Sequence, residues 1–305
     1  ADATDDSKLE DIVVTATYSA QRLQDTPIAI TAITGDGLAA RGMDNIQEIG
    51  GAIPNAFIRP GSASQAGAIV VAMRGVIQTE YNYAFDPGVG VYVDDVYHGT
   101  QVGAAFDLMD IERIEVLRGP QGTLFGKNSL GGAIRVFSRA PKGDNGGMIE
   151  ATYGRFNRTE VRGSFDFGLS DNLFARVSGL AQKTEGYVDQ LDFTCQMQKN
   201  GTPALAGSFP ARVQGTENCV IGSEGGKKLF AGKVMLRYVP TSELEVNLWA
   251  EYSDNSMEMP GDVLIRTNAS TTDGYVSRRN DEYFAKYGIR YDNRFVPASR
   301  YQTYA

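Results

Sequence analysis

Ile111-Glu112-Arg113-Ile114-Glu115-Val116-Leu117-Arg118-Gly119-Pro120 is the stretch that decides how the first half of this chain folds. Residues Ile111 to Leu117 read as a buried strand. Arg118-Gly119-Pro120 ends it, because proline carries no backbone donor and glycine accepts turn geometry. Downstream, a short strand is expected from Ala133 to Phe137, just before Pro141. Gly75, Gly119, Gly122, Gly126, Gly131 and Gly132 are expected to be turn glycines, those from Gly119 on with φ > 0. Upstream, Ile69 to Arg74 and Val89 to Val93 read as further buried strands, and Gly35 to Leu38 and Asn45 to Ile49 as turns and short helices. Residues 17–141 therefore form a compact α+β unit of ordinary domain size.

Beyond Pro141 the texture changes. Lys142-Gly143-Asp144-Asn145-Gly146-Gly147 is a linker. After it come segments that alternate for about ten residues each. Val161, Gly163, Phe165 and Phe167 form one apolar set, and Leu173, Ala175, Val177, Gly179 and Ala181 another, with Arg176, Ser178 and Gln182 on the opposite face. Residues 229–238 and 244–252 alternate likewise, although Trp249 falls in the polar set. The connections also alternate. Leu169-Ser170-Asp171-Asn172 and Val239-Pro240-Thr241-Ser242 are tight, whereas residues 185–227 and 256–300 are long and polar. Short turns at one end and long loops at the other are the pattern of an outer-membrane barrel, and a soluble sheet rarely needs such loops.

Composition narrows the function. The 305 residues suit two domains, and 42% hydrophobic with 22% charged residues is a globular balance. Thirty-five glycines, 15 tyrosines and 14 phenylalanines favour β structure. A net charge of −8 argues against nucleic-acid binding. His98, Cys195 and Cys219 are the only histidine and cysteines, too few for a His/Cys metal centre, and no cofactor is expected. No apolar run reaches the roughly 18 residues of a membrane helix, but barrel strands carry no such signal. Ala1 suits the residue after a leader-cleavage site, so a mature exported chain is expected.

Two lookalikes fail. Gly122 to Ser129 resembles a phosphate loop, but three residues rather than four separate its glycines and Asn128 follows Lys127. Asp94-Asp95 with Asp86 lacks the ligand ladder of a calcium loop, and a turn is the better reading. No nucleophile–base set is visible, so an enzyme is not expected.

The run from Leu108 to Gly126, continued by Asn128-Ser129-Leu130-Gly131-Gly132-Ala133-Ile134, resembles the plug signature of TonB-dependent outer-membrane receptors. Supporting pieces stand in family order. Asp11-Ile12-Val13-Val14-Thr15-Ala16 resembles a TonB box, Met73-Arg74-Gly75 an Arg-Gly element, and Val91 to Val96 a plug strand and turn. The resemblance implies a flexible N-terminus with the box in residues 1–16, an α+β plug domain in 17–141, and part of a transmembrane antiparallel β-barrel in 142–305. About five strands fit there, whereas receptor barrels of this kind have about 22. It also implies import of a scarce nutrient, foremost a ferric siderophore, with a carbohydrate or cobalamin as alternatives. A non-transporting surface β-sheet module is the reading from a different class.

The implied partners are TonB of the inner-membrane energising complex, outer-membrane lipid and a small-molecule ligand. Asp11 to Ala16 would couple to TonB by adding a strand to its sheet edge. Arg74, Glu112, Arg113, Glu115 and Arg118 are candidate plug–barrel ion pairs, because a polar lumen must be met by charge and hydrogen bonds. With His98 the sole histidine, haem is disfavoured. Cys195 and Cys219 both lie in the 185–227 loop, which this topology makes extracellular. Passage through an oxidising compartment leads us to expect a disulfide between them, two free thiols or pairing with cysteines in a further region being the alternatives.

Overall fold

A computed structural model of the chain describes residues 12–15, 19, 21–61, 68–79, 85–99, 109–201, 215, 217–258 and 285. Asp11 and Ala16 of the candidate box, and almost all of the expected 256–300 loop, lie outside the described residues.

The N-terminal part is built on two sheets. Strands β1 (Val13–Val14) and β2 (Gln21–Arg22) form a small antiparallel pair. There follow β3 (Ile30–Thr34), helices α1 (Gly35–Ala40) and α2 (Ile46–Ile49), and strands β4 (Ala56–Pro60), β5 (Ile69–Met73), β6 (Val76–Ile77), β7 (Val89–Val93) and β8 (Val96–His98). Strand β9 (Ile111–Arg118), helix α3 (Gly122–Phe125) and β10 (Gly132–Ser138) complete this part. One sheet runs β3-β9-β10-β7-β8, the other β4-β5-β6. Strand β10 pairs parallel with β7 and antiparallel with β9.

The helices start where local chemistry tells them to. Thr34 caps α1 by accepting from the Gly37 amide, and Asn45 opens α2 with a reciprocal capping box to Glu48. Their apolar faces, Leu38, Ile46 and Ile49, meet Ile33, Ile69, Val71, Val91, Ile114, Val116 and Ile134 in the main core. Because side chains alternate along a strand, Ile114 and Val116 of β9 fill that core, while Arg113, Glu115 and Leu117 point to the other face.

The expected turn glycines divide into two groups. Gly75, Gly119, Gly126 and Gly132 adopt positive φ, whereas Gly122 and Gly131 do not. Gly122 opens α3 in helical geometry. Gly131 is there for space, since a Cβ would come within 2.9 Å of Val76 Cβ. Gly132 is constrained twice: its φ is 147°, and a Cβ would collide with the Leu117 carbonyl oxygen at 2.1 Å.

The second part is an antiparallel wall. Strands β11 (Gly147–Gly154), β12 (Arg158–Ser170) and β13 (Leu173–Thr184) are followed by β14 (Val188–Leu191), helix α4 (Phe193–Lys199) and β15 (Val220–Glu224), and then by β16 (Lys227–Thr241) and β17 (Leu244–Met257). The wall order is β11-β12-β13-β16-β17. Strands of 12 to 15 residues, as β12, β13, β16 and β17 are, span a hydrocarbon core when tilted. One face is apolar and exposed: Ile149, Val161, Phe165, Phe167, Val177, Phe230, Val234, Leu236, Leu248 and Tyr252 all lie on it. The other face buries Glu160, Ser164, Asp166, Ser178 and Lys233 against the N-terminal part. Apolar outside and polar inside is barrel logic, the inverse of a soluble sandwich. No described helix is long and apolar enough to cross a membrane, which says nothing of strands.

The connections depart from strict alternation. The turns at 171–172 and 242–243 are tight as expected, but the β11–β12 connection, at the same end as the long loop, is also only residues 155–157. The long loop has structure of its own. Strands β14 and β15 pair, and α4 is capped by Asp192, which accepts from the Cys195 amide. Cys195 and Cys219 are joined in a disulfide with a sequence separation of 24 and are buried together with Met197. Closing a loop of that size restricts the unfolded ensemble by about 3 kcal/mol in the chain-entropy model. The double variant Cys195→Ser/Cys219→Ser is therefore expected to be cut by protease within residues 193–219 at least tenfold faster, with the wall strands unaffected. Equal cutting rates would show that the bridge does not brace the loop.

Candidate functional site

The site follows from register. Arg135 of β10 lies opposite Glu115 of β9, and Phe137 opposite Arg113. All four therefore share the sheet face turned away from the main core. Phe137 is sandwiched between two guanidiniums, with Arg113 Cζ 3.9 Å and Arg135 Cζ 4.6 Å from its ring centroid. Glu115 is 0% exposed and Arg135 is 2% exposed. Charges that deep must be paired, since an isolated one would neutralise or unfold its surroundings.

They are paired around Thr15. The Thr15 amide donates to Glu115 Oε1 at 2.9 Å, and Arg135 Nη1 donates to the Thr15 carbonyl at 2.8 Å. Arg113 Nη2 donates to the Thr15 hydroxyl at 3.0 Å and its Nε to Glu115 Oε1 at 2.9 Å. Arg135 reaches Glu115 Oε2 at 3.2 Å and Asp95 Oδ1 at 2.5 Å. Both backbone groups of Thr15 are thus held by side chains from the sheet. Just before it, Val14 is 0% exposed and pairs with Gln21, and Leu23 donates to the Ile12 carbonyl at 2.9 Å. The sequence reading gave residues 11–16 no partner strand; in the fold, Val13 and Val14 have one in β2.

Asp94 and Asp95 form the turn between β7 and β8, both in left-handed conformation with φ of 47° and 65°. Their carboxylates part company. Asp95 takes Arg135, while Asp94 accepts from the Ser138 amide at 2.8 Å, the Ser138 hydroxyl at 2.9 Å and Lys233 Nζ of β16. Lys233 also pairs with Glu251 of β17 at 3.4 Å. A continuous polar chain thereby runs from Thr15 through Arg135 and the Asp94-Asp95 turn to the wall.

Among the described residues, none of the five residues expected to make plug–barrel ion pairs is paired with the wall. Arg113 and Glu115 find their described partners inside the N-terminal part, because strand alternation turns them toward Thr15. Glu112 pairs with Arg113 at 3.5 Å, and Arg118 donates to the Pro54 carbonyl at 3.4 Å. Arg74 sits beside Gly119, with its guanidinium against the space a Cβ would fill. The pairs that join the two parts use other residues. Asp110 takes Arg176 of β13 in a bidentate grip at 2.6 and 2.7 Å. Asp44 takes Arg162 at 3.0 Å and Arg158 at 3.2 Å of β12, where both also hold Glu160. Met109 packs on Leu180, Leu229 and Ala231 of the wall. Arg176 stands on the polar face already visible in the sequence; Asp94 and Asp110 fall in stretches the sequence singles out, but nothing local marks them, or Asp44, as partners of the wall.

Among the described residues no group of three metal-ligating side chains forms. Burial pushes the His98 imidazole below its ordinary value, against a smaller opposing effect of Glu251.

An α+β domain docked by charge on the polar face of an antiparallel wall is the arrangement of a plug against a barrel. The comparisons specify it. Residues 22–133 match the family model of the TonB-dependent receptor plug domain. The pesticin receptor of Yersinia enterocolitica is 28% identical over 213 residues, 68% of this chain and 30% of that protein. The ferrioxamine B receptor of Salmonella typhimurium is 27% identical over 160 residues, 52% of this chain and 22% of that one. The crystal structure of the ferric yersiniabactin uptake receptor from Yersinia pestis superposes with a TM-score of 0.62 at 23% identity, covering 77% of this chain and 33% of that one. Residues 22–133 thus match the plug domain of the TonB-dependent receptors, and the chain spans about a third or less of the length of these relatives.

Proposed function

We propose that the protein imports a ferric siderophore across the outer membrane, energised by TonB acting on residues Asp11 to Ala16. The observation that carries this reading is the grip on Thr15 by Glu115 and Arg135. A partner that adds a strand needs the backbone N–H and C=O of the same segment. Here those groups are already in use, so TonB exchanges bonds rather than simply gaining them, and the segment is presented only after the grip loosens. The siderophore class is supported by relatives named for ferrioxamine B and ferric yersiniabactin.

The polar plug–wall interface suits a plug that must move. Asp110–Arg176 and Asp44–Arg162 are partly hydrated pairs, which water can replace at low net cost, whereas an apolar seam would have to be re-exposed whole. For Arg118, whose Nε is buried without a partner among the described residues, and for Arg74, we propose pairing with wall strands outside those described. The substrate class is tested by titrating the purified full-length receptor with ferric siderophores, cobalamin and oligosaccharides in a calorimeter. Submicromolar binding of a ferric siderophore alone is expected. Binding confined to cobalamin or a sugar would replace the substrate but leave the coupling scheme standing.

A further inference from the structure

The outward face of the wall is apolar except near its upper end. There, Lys183 of β13 and Lys228 of β16 are direct register partners. Register places them on the same face as Ala181, Val161 and Phe230, which is the lipid-facing one. Both are exposed, and neither has an ion pair or hydrogen bond among the described residues. Like charges directly opposite on a sheet repel, and the repulsion stands until an anion settles between them. The row continues to Tyr153, through Thr159, and to Ser256. One row toward the membrane middle lie Phe230 and Asp254, the latter an outward carboxylate beside the pair that engages neither lysine, and Tyr252 stacks near Phe230 with ring centroids 6.5 Å apart. At the opposite end the outward rows hold Leu169, Leu173, Tyr238, Leu244 and Val246, and no cation.

Position identifies the anion's source. Lys183 and Lys228 stand at the base of the 185–226 connection, hence at the extracellular end, just above an apolar surface that belongs in acyl chains. A ligand seated there meets phosphate-binding cations on its headgroup side and apolar rings on its tail side, which a free phosphate cannot use. We infer that Lys183 and Lys228 form a binding site for a phosphate-bearing lipid headgroup of the outer leaflet. The inference rests on the outer-membrane reading and is independent of what is imported. Two lysines near an anionic surface raise lipid occupancy by roughly 10- to 30-fold.

The test is native mass spectrometry of the full-length receptor, delipidated and then offered bisphosphorylated lipid A, its dephosphorylated form, or inorganic phosphate. The unaltered receptor is expected to retain bisphosphorylated lipid A at least tenfold better than Lys183→Gln/Lys228→Gln. Lys142→Gln, an exposed lysine at the other end, is expected to match the unaltered receptor. Equal retention by the double variant, equal retention of the dephosphorylated lipid, or saturation by millimolar inorganic phosphate alone would each overturn the inference. Heat-modifiable migration on gels reports separately whether the receptor is a membrane barrel, so failure of that premise is distinguishable.

Discussion

Deletion of Asp11 to Ala16 is expected to reduce uptake to the background of cells lacking the receptor while leaving ligand affinity at the outer face unchanged. Among the described residues, the segment contacts the sheet face around Glu115 and strand β2. Proline at Val13 or Val14 is expected to act alike. It removes a backbone donor from a segment that pairs with β2 here and would pair with an added strand of TonB. Radiolabelled ligand separates the two readouts, as binding at 4 °C and accumulation at 37 °C. Full accumulation in the deletion would remove this segment from the coupling step.

The second large effect concerns Arg135→Met. Removing one partner of a buried ion pair costs about 3–5 kcal/mol, because the remaining charge stays buried. Glu115 would keep Arg113, so the lower end of that range is expected for the plug sheet, read as faster amide exchange in β9 and β10. The Thr15 carbonyl and Asp95 lose their donor at the same time. A charged hydrogen bond is worth about 1.5–3 kcal/mol, so opening of the N-terminal segment rises by roughly 10- to 100-fold. The reporter is a thiol at Val14→Cys, a position wholly buried in the closed segment. Ligand should then add little to its labelling rate, since the grip that ligand would loosen is already gone. Labelling unchanged by Arg135→Met would mean that Arg135 does not hold the segment.

The sequence showed some of this and hid the rest for identifiable reasons. Ile69 to Arg74, Val89 to Val93 and Ile111 to Leu117 read as strands in the sequence, and the structure makes strands of all three, the first ending at Met73. The wall was legible because lipid and lumen impose opposite chemistry on alternate residues, so Phe165 and Val177 separate cleanly from Asp166 and Arg176. Strand β1 was not legible as a paired strand, since two residues leave no period to detect. Nor were α4 and the β14–β15 pair inside a polar loop, where a buried disulfide supplies what a hydrophobic stripe would otherwise supply. Glu115 was read as facing the barrel because a charge in a strand names a face but not its neighbour. Arg135, in the middle of Ala133 to Phe137, was the available clue. A charge inside a buried apolar strand demands a buried counter-charge, and pairing of β9 with β10 brings Glu115 opposite it.

We propose energised import through a segment that the plug holds closed. Its most direct measurement is accumulation of radiolabelled ferric siderophore by cells carrying the full-length receptor, before and after a protonophore collapses the proton gradient. Surface binding is expected to persist while accumulation falls to the level of the Asp11–Ala16 deletion. Accumulation that continues at its original rate without the gradient would contradict the account.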